Sequence, residues 1–164
     1  MFDWYKKVVF ENYANFNGRA RRSEYWYFTL MNLIFSLATM FIDKALGIKF
    51  GFNTLYSLAI FLPGLAVSVR RLHDIGKSGW LLLIFYIVFI ISIALLMVAG
   101  VSLFTGKVNA TSFGAGLIIP TVIILALAIW LLVMYCTNGE AGTNKYGPDP
   151  KSDGLEDINQ IGNE

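Results

Sequence analysis

The chain has 164 residues, of which 56% are hydrophobic and 15% charged, with a mean hydropathy of +0.59, far from the soluble balance of about half apolar and a quarter charged. A soluble domain of this size cannot hide that much apolar surface, and a formal charge of +2, divided among separate segments, does not form a nucleic-acid footprint. The single cysteine, Cys136, excludes an intrachain disulfide and a cysteine metal cluster.

Residues 2–16 place Tyr5, Val8, Val9, Tyr13 and Phe16 at three- and four-residue spacing, opposite or beside Lys6, Lys7, Glu11 and Asn12. That spacing predicts an amphipathic helix lying in the membrane interface. Asp3, Glu11 and Glu24 interrupt the first 24 residues, so no cleavable leader is expected and the first apolar run is a mature anchor. Asn17 and Gly18 signal a turn; Arg19, Arg21 and Arg22 then precede the aromatics Tyr25, Trp26, Tyr27 and Phe28, which start a first span over about 25–42.

A second span over 53–69 is short, roughly 25 Å of helix, and contains Pro63 and Gly64. It either starts earlier, near Ile48 or Phe50, or kinks and locally thins the membrane while Arg70 and Arg71 snorkel outward. The third span covers 80–104 and the fourth 117–136, with Pro120 expected in its first turns, where a missing donor matters least. From Thr137 the chain is rich in Gly, Asn, Pro and acidic residues. Residues 1–150 read as one integral membrane domain and 151–164 as a mobile polar tail. The expected fold is an all-α membrane protein, a four-transmembrane-helix bundle with an N-terminal amphipathic interfacial helix. Ten Lys and Arg lie on the side of the N-terminal tail, the 70–79 loop and the C-terminal tail; Lys44, Lys49 and Lys107 lie on the other. The positive-inside bias then puts both termini in the cytoplasm.

Three constellations carry the functional readings. In RRLHDIGKSGW, residues 70–80, a helix continuing to the glycine sets Arg70 and Arg71 four and three residues before Asp74, so that one carboxylate serves two guanidiniums. His73 can titrate near neutrality, and Lys77 with the Gly76 and Gly79 amides can receive an anionic oxygen. Together with Arg19 and Arg22 these residues form a candidate site for an anionic headgroup or a partner; the plainer account is a loop that sets topology, with Trp80 anchoring the next helix. The GKS within it is no phosphate loop, because Arg71 stands where the pattern needs glycine and no strand precedes it.

In the first span Tyr25, Thr29, Asn32, Ser36, Thr39 and Asp43 recur at three- and four-residue intervals. This polar stripe does not face lipid. It is either a packing seam, since Ser and Thr let helices approach and Asn32 can bond across an interface, or the wall of an aqueous path with Asp43 at its outer mouth. Seam is the favoured reading, because no span carries a charge near its centre. No catalytic set emerges, the lone His73 has no metal-binding company, and no cofactor is called for.

NFNGRARRSEYWYF at 15–28, LAVSVRRLHDIGKSGW at 65–80 and GTNKYGPDP at 142–150 resemble, in order, the signature blocks of the YhaH/YhaI-like inner-membrane proteins, the family of unknown function DUF 805. The resemblance covers most of the chain and implies a bacterial inner-membrane location without an activity. Its characteristic positions would be Gly18, Arg19, Arg22, Tyr25, Trp26, Arg70, Arg71, His73, Asp74, Gly76, Ser78, Gly79, Trp80, Asn144, Gly147 and Pro150. The third block reads either as a helix stop with turns or as part of a cytoplasmic cap in which Asn144 or Tyr146 meets the Arg and Asp groups. The expected function is a non-enzymatic inner-membrane component whose basic cytoplasmic face engages anionic membrane lipids or a protein partner. A small oligomeric transporter or channel lined by the polar stripe is the alternative.

Overall fold

A computed structural model describes residues 1–49, 51–105 and 110–151; Lys107 and the tail from Ser152 onward lie outside the described residues. The described chain is helical: α1, Phe2–Lys6, runs into a π-helical turn, Lys7–Glu11, and is followed by α2, Arg22–Leu46, α3, Phe52–Asp74, α4, Trp80–Phe104, and α5, Ala110–Cys136. The helices α2 to α5 are long and apolar enough to cross a membrane. The N-terminal helix ends at Glu11 rather than near Phe16, because Asn12 and Asn15 turn the chain with their side chains. The helices pack as two compact units, one of residues 1–79 with the segment from Asn138, the other of residues 80–137.

In the first unit the second span lengthens at its C-terminal end. At 23 residues α3 is about 35 Å long, which removes any need to thin the bilayer. Arg70 and Arg71 are therefore inside its last turns, buried rather than snorkelling. Pro63 sits within α3 and leaves the Ala59 carbonyl without its usual N–H; the Tyr13 hydroxyl donates to that carbonyl at 2.8 Å. α2 ends at Gly47, whose positive φ of 69° suits a glycine, with Ile48 N–H donating back to the Asp43 carbonyl. The Asp43 carboxylate then accepts the first N–H groups of α3, from Phe52 at 2.8 Å and Asn53 at 2.9 Å, so the residue caps the helix that follows its own.

The core of this unit joins Val8, Ala20, Phe28, Ile60 and Val67. Tyr5 stacks on Phe28, and its hydroxyl lies 3.2 Å from that of Tyr56. The N-terminal helix is thus docked on α2 and α3 by its apolar side.

In the second unit α4 and α5 expose many large apolar side chains, while Leu82, Phe85, Met134 and Tyr135 are buried, the pattern of membrane-spanning helices. Phe85 meets Trp130 edge to face at 5.2 Å, and the buried Ser92 hydroxyl donates to its own helix at the Val88 carbonyl. Because α5 begins at Ala110, Pro120 lies inside the helix instead of in its first turns; in a membrane helix such an interior proline is tolerated.

Candidate functional site

At the C-terminal end of α3 a buried ionic cluster draws together all three basic or turn-rich segments. Asp74 receives Arg19 at Oδ1, 3.0 Å from Nε and 2.9 Å from Nη2, and Arg71 at Oδ2. Arg70 donates from Nη1 to Glu24 Oε1 at 2.7 Å. Thus one carboxylate does serve two guanidiniums, but they are Arg71 and Arg19: Arg70 turns away to Glu24, which the four-residue spacing on α3 did not anticipate. Side-chain exposures of 1% for Arg19, 4% for Arg70, 0% for Arg71, 6% for Asp74 and 3% for Glu24 make these pairs buried ones. Such a pair is strongly destabilising to break, whatever its net contribution when whole.

The chain from Asn138 onward closes over this cluster. Glu140 N–H donates to the Asp74 carbonyl at 2.8 Å, and Arg19 donates to the carbonyls of Gly142, at 2.5 Å, and Glu140. Gly139 lies so close that a Cβ there would meet Asp74 Cγ at 2.7 Å. Asn144 and Gly147 exchange two backbone hydrogen bonds of 3.1 Å around a tight turn, and Tyr146 N–H donates to Asn144 Oδ1. That turn lays the Tyr146 ring on the His73 imidazole at 3.8 Å and 5° between planes, while Asn144 Nδ2 donates to the His73 carbonyl. Arg21 reaches the Pro150 carbonyl and also lies over the Trp4 ring. Lys151 N–H, at 2.9 Å, holds the Asp149 carboxyl below its ordinary range, with help from Gly142 N–H and the charges of Arg19 and Lys151. The three segments therefore make one cap, with Asn144 and Tyr146 against His73.

Other expected members of the site stand elsewhere. Gly76, at φ 69°, ends α3 in a Schellman turn: its N–H donates to the His73 carbonyl and that of Lys77 to the Leu72 carbonyl. Those amides are engaged in the helix stop, and the Glu140 carboxylate packs on Gly76. Gly79 is required by packing, since a Cβ would fall 2.6 Å from Val69 Cγ1. His73 Nδ1 lies 3.2 Å from the Gly18 carbonyl, so the ring is a structural partner of the first block. Arg22 and Lys77 are exposed. Glu24 is the residue that sequence reasoning missed as a partner; a carboxylate set among three arginines and an aromatic run was the available signal.

The polar stripe of α2 closes against α3. Asn32 Oδ1 accepts from the Tyr56 hydroxyl at 2.9 Å, Ser36 and Thr39 donate to Asn53 Oδ1 at 3.3 and 3.2 Å, and Thr29 bonds back to the Tyr25 carbonyl. With Asp43 capping α3, Asn32, Ser36, Thr39 and Asp43 meet groups of α3 across the helix pair, the contacts a packing seam makes. Among the described residues no group of three or more His, Cys, Asp or Glu could hold a metal ion.

Comparison with known proteins agrees with this framework. Residues 13–148 match the model of a protein family of unknown function, DUF805. The chain is similar to the inner membrane protein YhaI of Escherichia coli strain K12, 38% identical over 149 residues that cover 90% of this chain and 95% of that one. It is 36% identical over 154 residues to the inner membrane protein YhaH of the same strain, covering 91% and 97%. The uncharacterized protein YiiR of that strain is 32% identical over 142 residues, covering 82% and 85%. No solved structure matches. Four helices able to span a membrane, the three blocks assembled at one end of the first unit and the match along most of the length lead to one conclusion: the chain belongs to the DUF805 family.

Proposed function

We propose that this chain is a non-enzymatic component of a bacterial inner membrane, with both termini in the cytoplasm, whose folded cap presents a basic rim to anionic lipid headgroups. The observation that carries the reading is the division of labour among the basic residues. Arg19, Arg70 and Arg71 are buried in the cluster, whereas Arg22, Lys77 and Lys145 remain exposed on segments the cluster holds in place. Arg22 stands two residues from Glu24, Lys77 three from Asp74, and the Lys145 ammonium lies 4.9 Å from the Tyr146 ring centre. Each such cation near an anionic surface contributes about 1 kcal/mol of attraction. The ten-to-three bias of Lys and Arg supports the orientation.

The test uses the intrinsic fluorescence of Trp4, Trp26, Trp80 and Trp130 in proteoliposomes, quenched by brominated phosphatidylglycerol or brominated phosphatidylcholine. The wild-type chain should favour phosphatidylglycerol several-fold, and the triple variant Arg22→Gln, Lys77→Gln, Lys145→Gln should bring the two lipids to parity. A wild-type chain that treats both lipids alike rejects the rim. For orientation, trypsin should cut at Lys145 or Lys151 in inside-out vesicles; cutting there only in right-side-out vesicles rejects it.

A further inference from the structure

The buried cluster has one more cation than anion. Arg19, Arg70 and Arg71 face Glu24 and Asp74, all five within a few per cent of full burial. The imbalance falls on one group: among the described residues Arg70 Nε and Nη2 are buried and have no hydrogen-bond partner, while Nη1 is held by Glu24. These two nitrogens form the side-on edge of the guanidinium, whose parallel N–H groups match the two oxygens of a carboxylate or phosphate. The carbonyls nearest along the chain are engaged: Arg70 O accepts from Ala20, Leu72 O from Lys77, His73 O from Gly76 and Asn144, and Asp74 O from Glu140. The α3 terminus contributes partial negative charge but no acceptor for this edge.

We propose that the Nε/Nη2 edge of Arg70 binds a phosphate oxyanion, supplied by the phosphodiester of a membrane phospholipid. Depth selects the lipid source. The bond to Glu24 ties Arg70 to the residue directly before Tyr25, Trp26 and Tyr27, the aromatic run that marks headgroup level on α2. The edge is covered by protein, so the phosphate enters as neighbouring side chains give way and leaves slowly. This inference deepens the lipid-binding reading and rests on the cap lying at headgroup level, but it concerns a different lipid property. The rim senses net lipid charge; the Arg70 edge senses phosphate, which phosphatidylcholine carries as well as phosphatidylglycerol.

Native mass spectrometry of the full-length chain in mild detergent decides it, with titrations of phosphatidylcholine, phosphatidylglycerol, diacylglycerol of the same tails, and inorganic phosphate. Expected is one tightly retained molecule of either phospholipid per chain and none of diacylglycerol. Arg70→Lys keeps the positive charge but loses the two-nitrogen edge, and should weaken phospholipid retention at least tenfold. Arg22→Gln with Lys77→Gln and Lys145→Gln should bring phosphatidylglycerol retention down to that of phosphatidylcholine and leave the phosphatidylcholine retention at Arg70 in place, which separates failure here from failure of the rim. Diacylglycerol retained as well as phospholipid overturns the proposal from the wild-type chain alone, whether or not the Arg70 variant folds. Equal phospholipid retention by a folded Arg70→Lys variant also overturns it. Inorganic phosphate bound in preference to either lipid overturns the lipid source and leaves the oxyanion site standing.

Discussion

Replacing Asp74 by Asn keeps the shape of the side chain and removes the one charge that Arg19 and Arg71 share. The carboxylate accepts from Arg19 Nε and Nη2 at 3.0 and 2.9 Å and from Arg71, with side-chain exposures of 1%, 0% and 6% for Arg19, Arg71 and Asp74. Breaking one buried pair from a single side costs about 3–5 kcal/mol, because the other ion stays buried and unmatched. Here two cations lose the same partner and the amide turns a donor toward them. The two losses share one carboxylate and do not add in full, so we expect about 5 kcal/mol, a large part of the roughly 5–15 kcal/mol that holds a domain folded. The loss should begin locally, since Arg19 and the Asp74 carbonyl hold the segment at Glu140 and Gly142. Hydrogen exchange on the detergent-purified chain should show residues 138–150 deprotected first, with faster tryptic cleavage at Lys145. A double-mutant cycle with Arg19→Gln should give a coupling of about 1–3 kcal/mol. An Asp74→Asn chain with wild-type protection over 138–150 and an unchanged unfolding midpoint would refute the reasoning.

Gly139→Ala places a methyl group 2.7 Å from Asp74 Cγ, a carboxylate locked by two guanidiniums that cannot swing aside; overpacking of this kind costs about 1–3 kcal/mol and should lower the thermal midpoint without changing helix content by circular dichroism. Asp43→Ala removes both caps from the first turn of α3 and should cost about 0.5–2 kcal/mol, read as faster exchange at Phe52 and Asn53. Asn32→Leu deletes the acceptor of the Tyr56 hydroxyl and should lower stability by about 0.6–1.7 kcal/mol, the range for such bonds between membrane helices, with no gain of ion flux in liposomes. The Asp149 carboxyl is held below its unfolded value, so its contribution to the 142–151 turn is full above that value and lost as pH falls through the lower folded one; protection of Lys151 N–H should fall with acid over that window, and an acid-insensitive amide there would count against it.

The four spans were legible because burial in lipid imposes a crude, local rule: about 20 consecutive apolar residues need no partner to become a helix. The same rule misplaced ends governed by particular contacts. Residues 70–74 carry charge and so read as loop, yet they are helix because Asp74, Glu24 and the 138–142 segment satisfy that charge. Pro120 read as part of a helix start because the fourth apolar run begins at Leu117, whereas α5 runs from Ala110. The polar stripe was visible from its spacing, and the seam reading followed from residue type, but its partners Asn53 and Tyr56 lie 14 to 24 residues away, a pairing only helix packing creates.

For the cap, the residues were present in the sequence and their pairing was not. Composition, aromatic belts and the Lys and Arg bias specify an all-helical membrane chain with its basic segments gathered at chain positions flanking the spans, because those properties act residue by residue. Which carboxylate answers which guanidinium depends on where α2 and α3 converge and on a segment more than 60 residues later closing over them. Spacing along α3 favours Arg70 with Asp74; the approach of Arg19 satisfies Asp74 from another segment, and Glu24, carried in by α2, takes Arg70 instead. Tertiary packing made that choice, since a buried ion pair forms only between groups the fold brings within about 3 Å with water excluded.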